Sequence, residues 1–281
     1  MPNKQIQKIS FYSRIDNTEA KHWQSKILEW LKDNYPNIAV EEEHSDAVIV
    51  LGGDGAIMEA SRMNAKSGAV IVGINLGNLG FLSSINNPID FPLMLEKLFK
   101  GDFQIHKGML VKAVVIRDGK EVFSAEAFNE VVVESPLGMV ELDVVIDGEV
   151  VEEIRGSGAL VATPFGSTAY NLSAHGPIVS PNIECLIVTE LFDHDIPSPS
   201  LVIPTTETIK LVVQNFRENK LLKISATNEP VDVLLIADGQ ASFVLKQKDE
   251  VNITKTDSSF SLAILEHNHF FKSLRSKFSF K

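Results

Sequence analysis

The sequence is poor in cysteine, since only Cys185 occurs among its 281 residues. One cysteine forms no disulfide within the chain and builds no cysteine zinc site. Cys185 lies in the apolar run 183–188, which favours a buried, inert thiol. The start of the chain, Met1 to Gln5, has no apolar signal segment. Together these features predict a protein of the reducing cytoplasm.

Positive charge is also scarce, with 26 Lys and Arg against 37 Asp and Glu and a net charge of -11. Binding to nucleic acid without sequence preference needs clustered positive charge, so this class of partner is not expected. No apolar run approaches the roughly 20 residues that span a bilayer, and no membrane partner is expected either. A small phosphorylated ligand stays compatible, because backbone dipoles can hold an anion locally.

Two common nucleotide-binding motifs are missing. The P-loop pattern G-x-x-x-x-G-K-[ST] does not occur in the chain. A dinucleotide fingerprint starting at Gly53 fails as well, because Met58 stands where the third glycine is required. Any nucleotide site must therefore be built in another way.

A glycine turn after a strand-like segment is the most informative local pattern present. Residues 46–51 form a short, nearly uninterrupted apolar segment with β-branched side chains at its centre, which predicts a strand buried on both faces of a parallel sheet. Gly52, Gly53, Asp54 and Gly55 follow, and residues 56–63 have the composition of a helix. Such a turn would present the unpaired backbone N–H groups of a helix N-terminus to a phosphate.

Asp54 does not fit a simple phosphate cradle, since its carboxylate would repel the anion. It could hold a metal ion that the phosphates carry, or accept a proton from a hydroxyl. Alternatively, the motif is only a tight turn whose Asp54 caps the following helix. The motif by itself leaves both interpretations open.

The pattern of elements indicates two domains. Strands at 8–13, 46–51 and 68–74 alternate with helices at 19–34, 56–63 and 91–99, with a second glycine turn at 75–80. We therefore predict an α/β N-terminal domain over 1–101 with a parallel, Rossmann-like sheet. From there strand-like runs dominate, and Asp118-Gly119 and Asp147-Gly148 favour hairpins. We predict a β-rich C-terminal domain over 102–264, with the tail 265–281 packing back on the first domain.

Three polar clusters interrupt the apolar strands of the second domain. Asn129 and Glu130 begin a strand, and could bind the hydroxyls of a ligand or merely start the strand in solvent. Residues 163–171 place hydroxyl and amide side chains between a strand and a predicted helix. Asp238 stands before Gly239, where a hairpin turn is expected. Elsewhere, His267 and His269 have metal-compatible spacing, but a solvated loop is the preferred interpretation and no metal site is predicted.

In combination, these motifs resemble the NAD kinase family. The matching segments, in the order and approximate spacing of that family, are Gly52 to Gly55, Gly73 to Leu82, Asn129-Glu130, Thr163-Pro164, Gly166 to Tyr170 and Asp238-Gly239. The Gly-Gly-Asp-Gly element alone is shared with lipid kinases and phosphofructokinases, whereas the later motifs are more specific to the NAD kinase family. The resemblance covers roughly residues 46 to 240.

The resemblance implies ATP-dependent phosphorylation of the adenosine ribose 2′-hydroxyl of NAD to give NADP. Asp54 is similar to the family's catalytic aspartate, and Gly53 and Gly55 to the glycines that let the backbone approach phosphate. It also implies Mg²⁺ that arrives with ATP, and assembly as a homodimer or homotetramer. The residues that resemble dinucleotide-binding positions of the family are Asn129, Glu130, Arg155, Ser157, Thr163, Ser167, Thr168, Ala169, Tyr170 and Asp238.

Two departures from the family pattern stand out. The segment 155–158 reads Arg-Gly-Ser-Gly where the family usually has Arg-Gly-Asp-Gly, so Ser157 replaces a carboxylate associated with the nicotinamide end. The segment 191–204 keeps His194 but lacks the family's following arginine. Two alternatives therefore remain beside an NAD kinase: a lipid or sugar kinase that shares the glycine loop, and a catalytically silent dinucleotide-binding sensor.

Overall fold

A computed structural model describes residues 5–14, 17–42, 44–77, 80–194, 198–224, 230–266 and 269–278. Two compact units make up the chain. The first unit comprises Met1–Gly108 and Ser258–Lys281, and the second comprises Met109–Asp257. The chain therefore leaves its first unit once and returns to it for its last residues.

The secondary structure follows the predicted pattern. In chain order the first elements are β1 (Lys8–Tyr12), α1 (Thr18–Asn34), β2 (Ala39–Val40), β3 (Ala47–Leu51), α2 (Asp54–Met63), β4 (Val70–Ile74), α3 (Phe91–Phe99), β5 (Gln104–Arg117) and β6 (Lys120–Ala127). The next are β7 (Glu130–Glu134), β8 (Val140–Ile146), β9 (Glu149–Gly156), β10 (Gly158–Ala162), α4 (Tyr170–Ser173), β11 (Cys185–Leu191) and β12 (Leu201–Pro204). The last are β13 (Ile209–Phe216), β14 (Leu234–Ala237), β15 (Ala241–Val244), β16 (Glu250–Ile264) and α5 (His269–Phe278). Short 3-10 helices at Pro88–Asp90 and Phe165–Thr168 precede α3 and α4.

The first unit contains the predicted parallel sheet. Its strands run in the order β2-β1-β3-β4, and the C-terminal end of β16 pairs with β4 in parallel. Every residue of β3 and β4 is buried, as expected for central strands of a parallel sheet covered on both faces. Helix α1 begins after Asn17, whose side chain accepts a hydrogen bond from the Ala20 backbone N–H at 3.0 Å. Trp23 and Trp30 of α1 pack edge-on against Phe91 of α3.

The second unit is β-rich, as predicted. One antiparallel sheet has the order β12-β11-β10-β7-β14-β15, and in the other β13 pairs with both β16 and β8 and β9 follows β8. Strands β5 and β6 form a hairpin. Alternate residues of both sheets, such as Val131, Val161, Leu142 and Leu211, share one hydrophobic core.

Aspartate–glycine pairs close three hairpins of this unit. Asp118 and Gly119 have φ of 50° and 73°, Asp147 and Gly148 of 49° and 91°, and Asp238 and Gly239 of 49° and 66°. Positive φ at both central residues is the geometry of a type I′ turn, which matches the twist of the flanking strands. The hairpins predicted at residues 118–119, 147–148 and 238–239 are confirmed.

A buried ion pair fastens β5 to the turn before β16. Arg117 donates to Asp249 through Nε at 2.8 Å and through Nη2 at 2.7 Å, and Asp249 is fully buried. Asp249 also accepts a hydrogen bond from the Lys246 backbone N–H at 2.8 Å. We expect Asp249→Ala to lower the free energy of unfolding by about 3–5 kcal/mol, because it leaves the Arg117 charge without its partner. Urea denaturation monitored by circular dichroism measures the loss.

The neighbouring residue provides the matched control. Glu250 forms an ion pair with Lys210 at 2.8 Å, and both side chains are about one third exposed or more. Water screens such a pair, so we expect Glu250→Ala to change the free energy of unfolding by less than about 1 kcal/mol. Equal effects of the two substitutions would contradict a special contribution from the Arg117–Asp249 pair.

Candidate active site

Asp54 is held by a second segment of the first unit. Its carboxylate accepts hydrogen bonds from the backbone N–H of Phe81 at 2.9 Å and of Leu82 at 3.2 Å. Asp54 begins α2 directly after β3, while Phe81 and Leu82 follow β4, the next strand of the sheet. The interpretation of Asp54 as a cap of its own helix is therefore not supported, since Gly53 is the N-cap residue and the carboxylate binds another loop.

The glycine at position 80 makes this contact possible. A Cβ added to Gly80 would lie 1.9 Å from Asp54 Oδ1 and 2.5 Å from its Cγ. Only a residue without a side chain lets the loop approach the carboxylate so closely. A carboxylate offers about four acceptor positions, so the two N–H groups leave capacity for a ligand hydroxyl or a cation.

The other glycines of the motif differ from each other. Gly53 is exposed and has open space where a Cβ would lie, which leaves room for a ligand.

The Gly55 carbonyl accepts a hydrogen bond from Arg14 Nη2 at 3.2 Å, and Arg14 Nε donates to Glu59 at 3.2 Å. Sequence reasoning missed Arg14, although its place just after β1, at the carboxyl edge of the sheet, is a signal for it. Burial, followed by a hydrogen bond to Glu59, raises the pKa of nearby Tyr12 to about 12.

In the second unit, Asp238 organises the segment that contains Asn129 and Glu130. Its Oδ2 accepts from the Phe128 backbone N–H at 2.7 Å, and its Oδ1 accepts from those of Asn129 at 2.8 Å and Glu130 at 3.3 Å. The hairpin turn after β14 places this carboxylate beside the start of β7. Asp238 thus fixes the backbone of residues 128–130 from the expected hairpin turn; the dinucleotide-binding role that the family resemblance implies for it stays a prediction.

Glu130 does not start its strand in solvent. It is 8% exposed, and its Oε2 has no hydrogen-bond partner within the described part of the chain. Burial, together with the negative charge of Asp238, raises the pKa of Glu130 to about 8, although a hydrogen bond from the Tyr170 backbone acts in the opposite direction. At neutral pH Glu130 is therefore largely a carboxylic acid, which can donate as well as accept a hydrogen bond.

The raised pKa of Glu130 predicts a pH-dependent stability. Between pH 4.5 and about 8 the unfolded chain loses this proton and the folded chain keeps it, so stability falls as pH rises. The slope from this group is about 1.4 kcal/mol per pH unit. We expect Glu130→Gln to remove this contribution, so that urea midpoints measured from pH 5 to 8 decline less steeply than those of the wild type. Parallel profiles of the two proteins would contradict the assignment.

In the segment 163–171, the hydroxyls of Thr163 and Ser167 bond to backbone groups. Thr163 Oγ1 donates to the Phe128 carbonyl at 2.8 Å and accepts from the Gly166 N–H at 3.1 Å. Ser167 Oγ accepts from the Val179 N–H at 2.8 Å and lies 3.1 Å from its carbonyl. Both side chains are fully buried, and Thr163 supports the backbone next to Asn129 while Ser167 supports that of Val179. The dinucleotide-binding role that the family resemblance implies for Thr163 and Ser167 stays a prediction, and their hydroxyls are engaged with the backbone.

Thr168, Ala169 and Tyr170 lie closer to the surface. Thr168 donates to the Phe165 carbonyl at 3.3 Å, and the Tyr170 hydroxyl donates to Glu134 at 3.2 Å. Tyr170 is 38% exposed and borders a cavity of about 480 Å³ in the second unit. The other cavity-lining residues are Ser173, Ala174, His175, Thr189, Glu190, Leu191, Phe192, Asp193, Ser198, Pro199 and Ser200.

Arg155 and Ser157 belong to the junction of β9 and β10. Arg155 is exposed and pairs with Glu141 at 3.5 Å. The Ser157 N–H donates to the Leu191 carbonyl at 2.8 Å, so the backbone of this junction lies beside the strand that borders the cavity.

The predicted site residues thus fall into two groups. Asn129, Glu130, Asp238 and the segment 163–170 lie in the second unit, and Asp54 and its glycines lie in the first.

Neither a metal cage nor a membrane span is evident in the described ranges. They contain no group of three or more His, Cys, Asp and Glu residues arranged to hold a metal ion. They also contain no helix long and apolar enough to cross a bilayer. The prediction of a solvated loop at His267 lies outside the described residues.

Comparison with known proteins decides the family. The ATP-NAD kinase N-terminal domain model matches residues 2–103, and the ATP-NAD kinase C-terminal domain model matches residues 128–265. The chain belongs to the NAD kinase family. An NAD kinase of Caldanaerobacter subterraneus is 34% identical over 83% of this chain and 78% of its own length. The NAD kinase of Syntrophotalea carbinolica is 31% identical over 97% of this chain and 98% of its own.

Solved structures agree with this family assignment. An NAD kinase from Archaeoglobus fulgidus, in complex with ATP, superposes with a TM-score of 0.71 at 25% identity and covers 97% of both chains. A yeast NADH kinase complexed with NADH gives a TM-score of 0.83, covering 99% of this chain and 89% of its own, and at 19% identity it supports the fold alone. The predicted fold and family are confirmed. No finding favours the lipid kinase, sugar kinase or silent sensor alternatives.

Proposed function

We propose that this NAD kinase family member transfers the γ-phosphoryl group of ATP to the 2′-hydroxyl of the adenosine ribose of NAD, giving NADP and ADP. The observation that carries the proposal is the Asp54 carboxylate, fixed by two backbone N–H groups in a motif shared with the family. The fixed orientation leaves two acceptor positions free for a substrate hydroxyl.

The proposed reaction requires little covalent chemistry from the protein itself. Asp54 accepts a hydrogen bond from the 2′-hydroxyl and takes its proton as the ribose oxygen bonds to the γ-phosphorus. The bond from that phosphorus to the bridging oxygen breaks, and ADP leaves with the electron pair. Phosphoryl transfer of this kind depends mainly on positioning and on neutralisation of charge.

Residues of the second unit would bind the dinucleotide. We assign direct contacts to Asn129, Glu130 and Tyr170, since Asn129 and Tyr170 are accessible and Glu130 has an oxygen without a partner. A protonated Glu130 could donate a hydrogen bond to an acceptor on the ligand. Thr163, Ser167 and Asp238 would act indirectly, because Thr163 and Asp238 hold the backbone around Asn129 and Ser167 holds that of Val179.

Magnesium would arrive with the phosphates of ATP. The Asp54 carboxylate fits such an ion, because it is an oxygen ligand of the kind Mg²⁺ prefers and retains free acceptor positions. When bound, the ion neutralises the negative charge of the phosphates. We further propose a homodimer or homotetramer in the cytoplasm, on the basis of the family resemblance and the buried thiol of Cys185. Light scattering coupled to size exclusion tests the assembly.

Purified full-length protein incubated with NAD, ATP and Mg²⁺ tests the activity. We expect NADP, detected by a dehydrogenase specific for NADP, and ADP in equal amounts. Parallel reactions with NADH as acceptor or polyphosphate as donor define the substrate range. Calorimetric binding of NAD without formation of NADP would instead support the silent sensor, and ADP formation only with a lipid or sugar acceptor would support the other kinases.

A further inference from the structure

The C-terminal helix α5 has one face directed into the first unit. Phe270, Ser273 and Leu274 are buried, and Lys277 and Phe278, which are exposed, follow at helical spacing in the next turn. These positions recur at spacings of three and four residues, as an amphipathic helix requires. The other described positions of the helix from 271 onwards, Lys277 and Phe278 included, are exposed, so the buried part of this face ends at Leu274.

That face contacts the ring of Phe81. The ring centroids of Phe81 and Phe270 are 6.4 Å apart, and those of Phe81 and Phe278 are 6.1 Å apart in a stacked arrangement. Lys277 Nζ lies 4.2 Å from the centroid of the Phe81 ring, which is the geometry of a cation–π interaction. Three side chains of one helix therefore restrain a single aromatic ring.

Phe81 is also one of the two residues that hold Asp54. Its backbone N–H donates to the carboxylate at 2.9 Å, and the N–H of the next residue, Leu82, donates at 3.2 Å. The ring is joined to the Phe81 Cα through a single Cβ carbon, so a restrained ring limits the movement of the Cα and of the two planar peptide groups attached to it. Phe81 thus links α5 to the Asp54 carboxylate, because its ring contacts the helix and its backbone N–H donates to the carboxylate.

We propose that α5 positions Asp54 for phosphoryl transfer, with Phe270, Lys277 and Phe278 as positioning residues that act through Phe81. The inference rests on the proposed function, since it concerns the same reaction. Without the contacts of α5 with the Phe81 ring, the segment at Phe81 and Leu82 can move. The Asp54 carboxylate then loses its orientation towards the substrate hydroxyl. Misplacement by about 1 Å can lower a rate 100-fold, so a surface helix affects turnover without touching substrate.

The test compares variants of α5 in steady-state kinetics. We expect the double variant Lys277→Ala/Phe278→Ala to lower kcat at least about tenfold, with the KM for NAD changed less than about threefold. Lys277→Met alone removes the charge from a surface residue without threatening the fold, and should lower kcat by about two- to fivefold. Lys277→Arg and Phe278→Tyr keep the cation and the ring, and should retain wild-type kcat. Arg275→Ala, an exposed position on the same helix, is the control.

Hydrogen exchange measured by mass spectrometry provides a second readout. In the double variant we expect faster exchange in the peptide containing Phe81 and Leu82, while peptides of β3 and β4 keep their protection. Unchanged kcat in the double variant, an equal loss in Arg275→Ala, or unchanged exchange at Phe81 would overturn the inference. Wild-type protein that forms no NADP would instead refute the proposed function, so the two failures are distinguishable.

Discussion

Substitution of Asp54 by asparagine is expected to lower kcat for NADP formation by about 100- to 10,000-fold, the range for loss of a positioned general base. Asparagine keeps the size of the side chain but can neither take a proton nor carry negative charge. Its amide oxygen can still accept from one of the two N–H groups that hold Asp54, those of Phe81 and Leu82. The fold should therefore survive the change, and binding of NAD, measured by calorimetry, should change only a few-fold.

The control for this experiment is a second aspartate of the first unit. Asp90 is exposed at the N-terminus of α3 and makes no capping hydrogen bond through its side chain. Asp90→Asn removes the same negative charge from the same unit, so it should leave kcat unchanged. Residual activity of Asp54→Asn within tenfold of the wild type, with the fold intact, would exclude Asp54 as the base.

Substitution of Gly80 by alanine is expected to lower kcat by about 100-fold while Asp54 itself remains present. The added methyl carbon would lie 1.9 Å from Asp54 Oδ1 and 2.7 Å from Oδ2, distances that non-bonded atoms do not tolerate. Either the carboxylate or the loop must move, which breaks the hydrogen bonds to Phe81 and Leu82. Steady-state kinetics should show a fall in kcat, and the thermal midpoint should drop because two N–H groups lose their acceptor.

Gly77 provides a matched control within the same loop. A Cβ built on Gly77 meets no atom within 4 Å, and its φ lies outside the positive range that favours glycine. Gly77→Ala should therefore keep wild-type kcat and stability. If Gly80→Ala is also fully active, a close approach of this loop to Asp54 is not required during turnover.

The buried strands and the hairpins could be predicted from the sequence because their signals are local. An apolar β-branched run predicted β3, and Asp118-Gly119 and Asp147-Gly148 predicted hairpins, which the structure closes with type I′ turns. Element ends were less accurate, since α2 begins at Asp54 rather than at residue 56. That shift matters because Asp54 lies inside α2, so it is not the N-cap residue that precedes the helix.

The partners of the polar site residues could not be predicted in the same way. Asn129 and Glu130 were recognised as a polar pair, but the sequence did not reveal that Asp238, more than 100 positions away, fixes their backbone. Thr163 and Ser167 resemble dinucleotide-binding positions of the family, but the sequence did not reveal that their hydroxyls bond to backbone groups. Residue types indicate which atoms need partners, whereas strand order and register determine which atoms meet.

The sequence by itself determined the two-part architecture, the positions of the glycine turns and the resemblance to the NAD kinase family, because each is built from local patterns that can be recognised one after another along the chain. Tertiary structure alone decided that Phe81 and Leu82 hold Asp54, that Glu130 is buried with a raised pKa, and that α5 contacts the Phe81 ring. These features join residues 27 to about 200 positions apart in the chain. The physical reason is that a hydrogen bond or a ring contact extends only a few ångströms, so it forms only after the sheet has brought distant segments together.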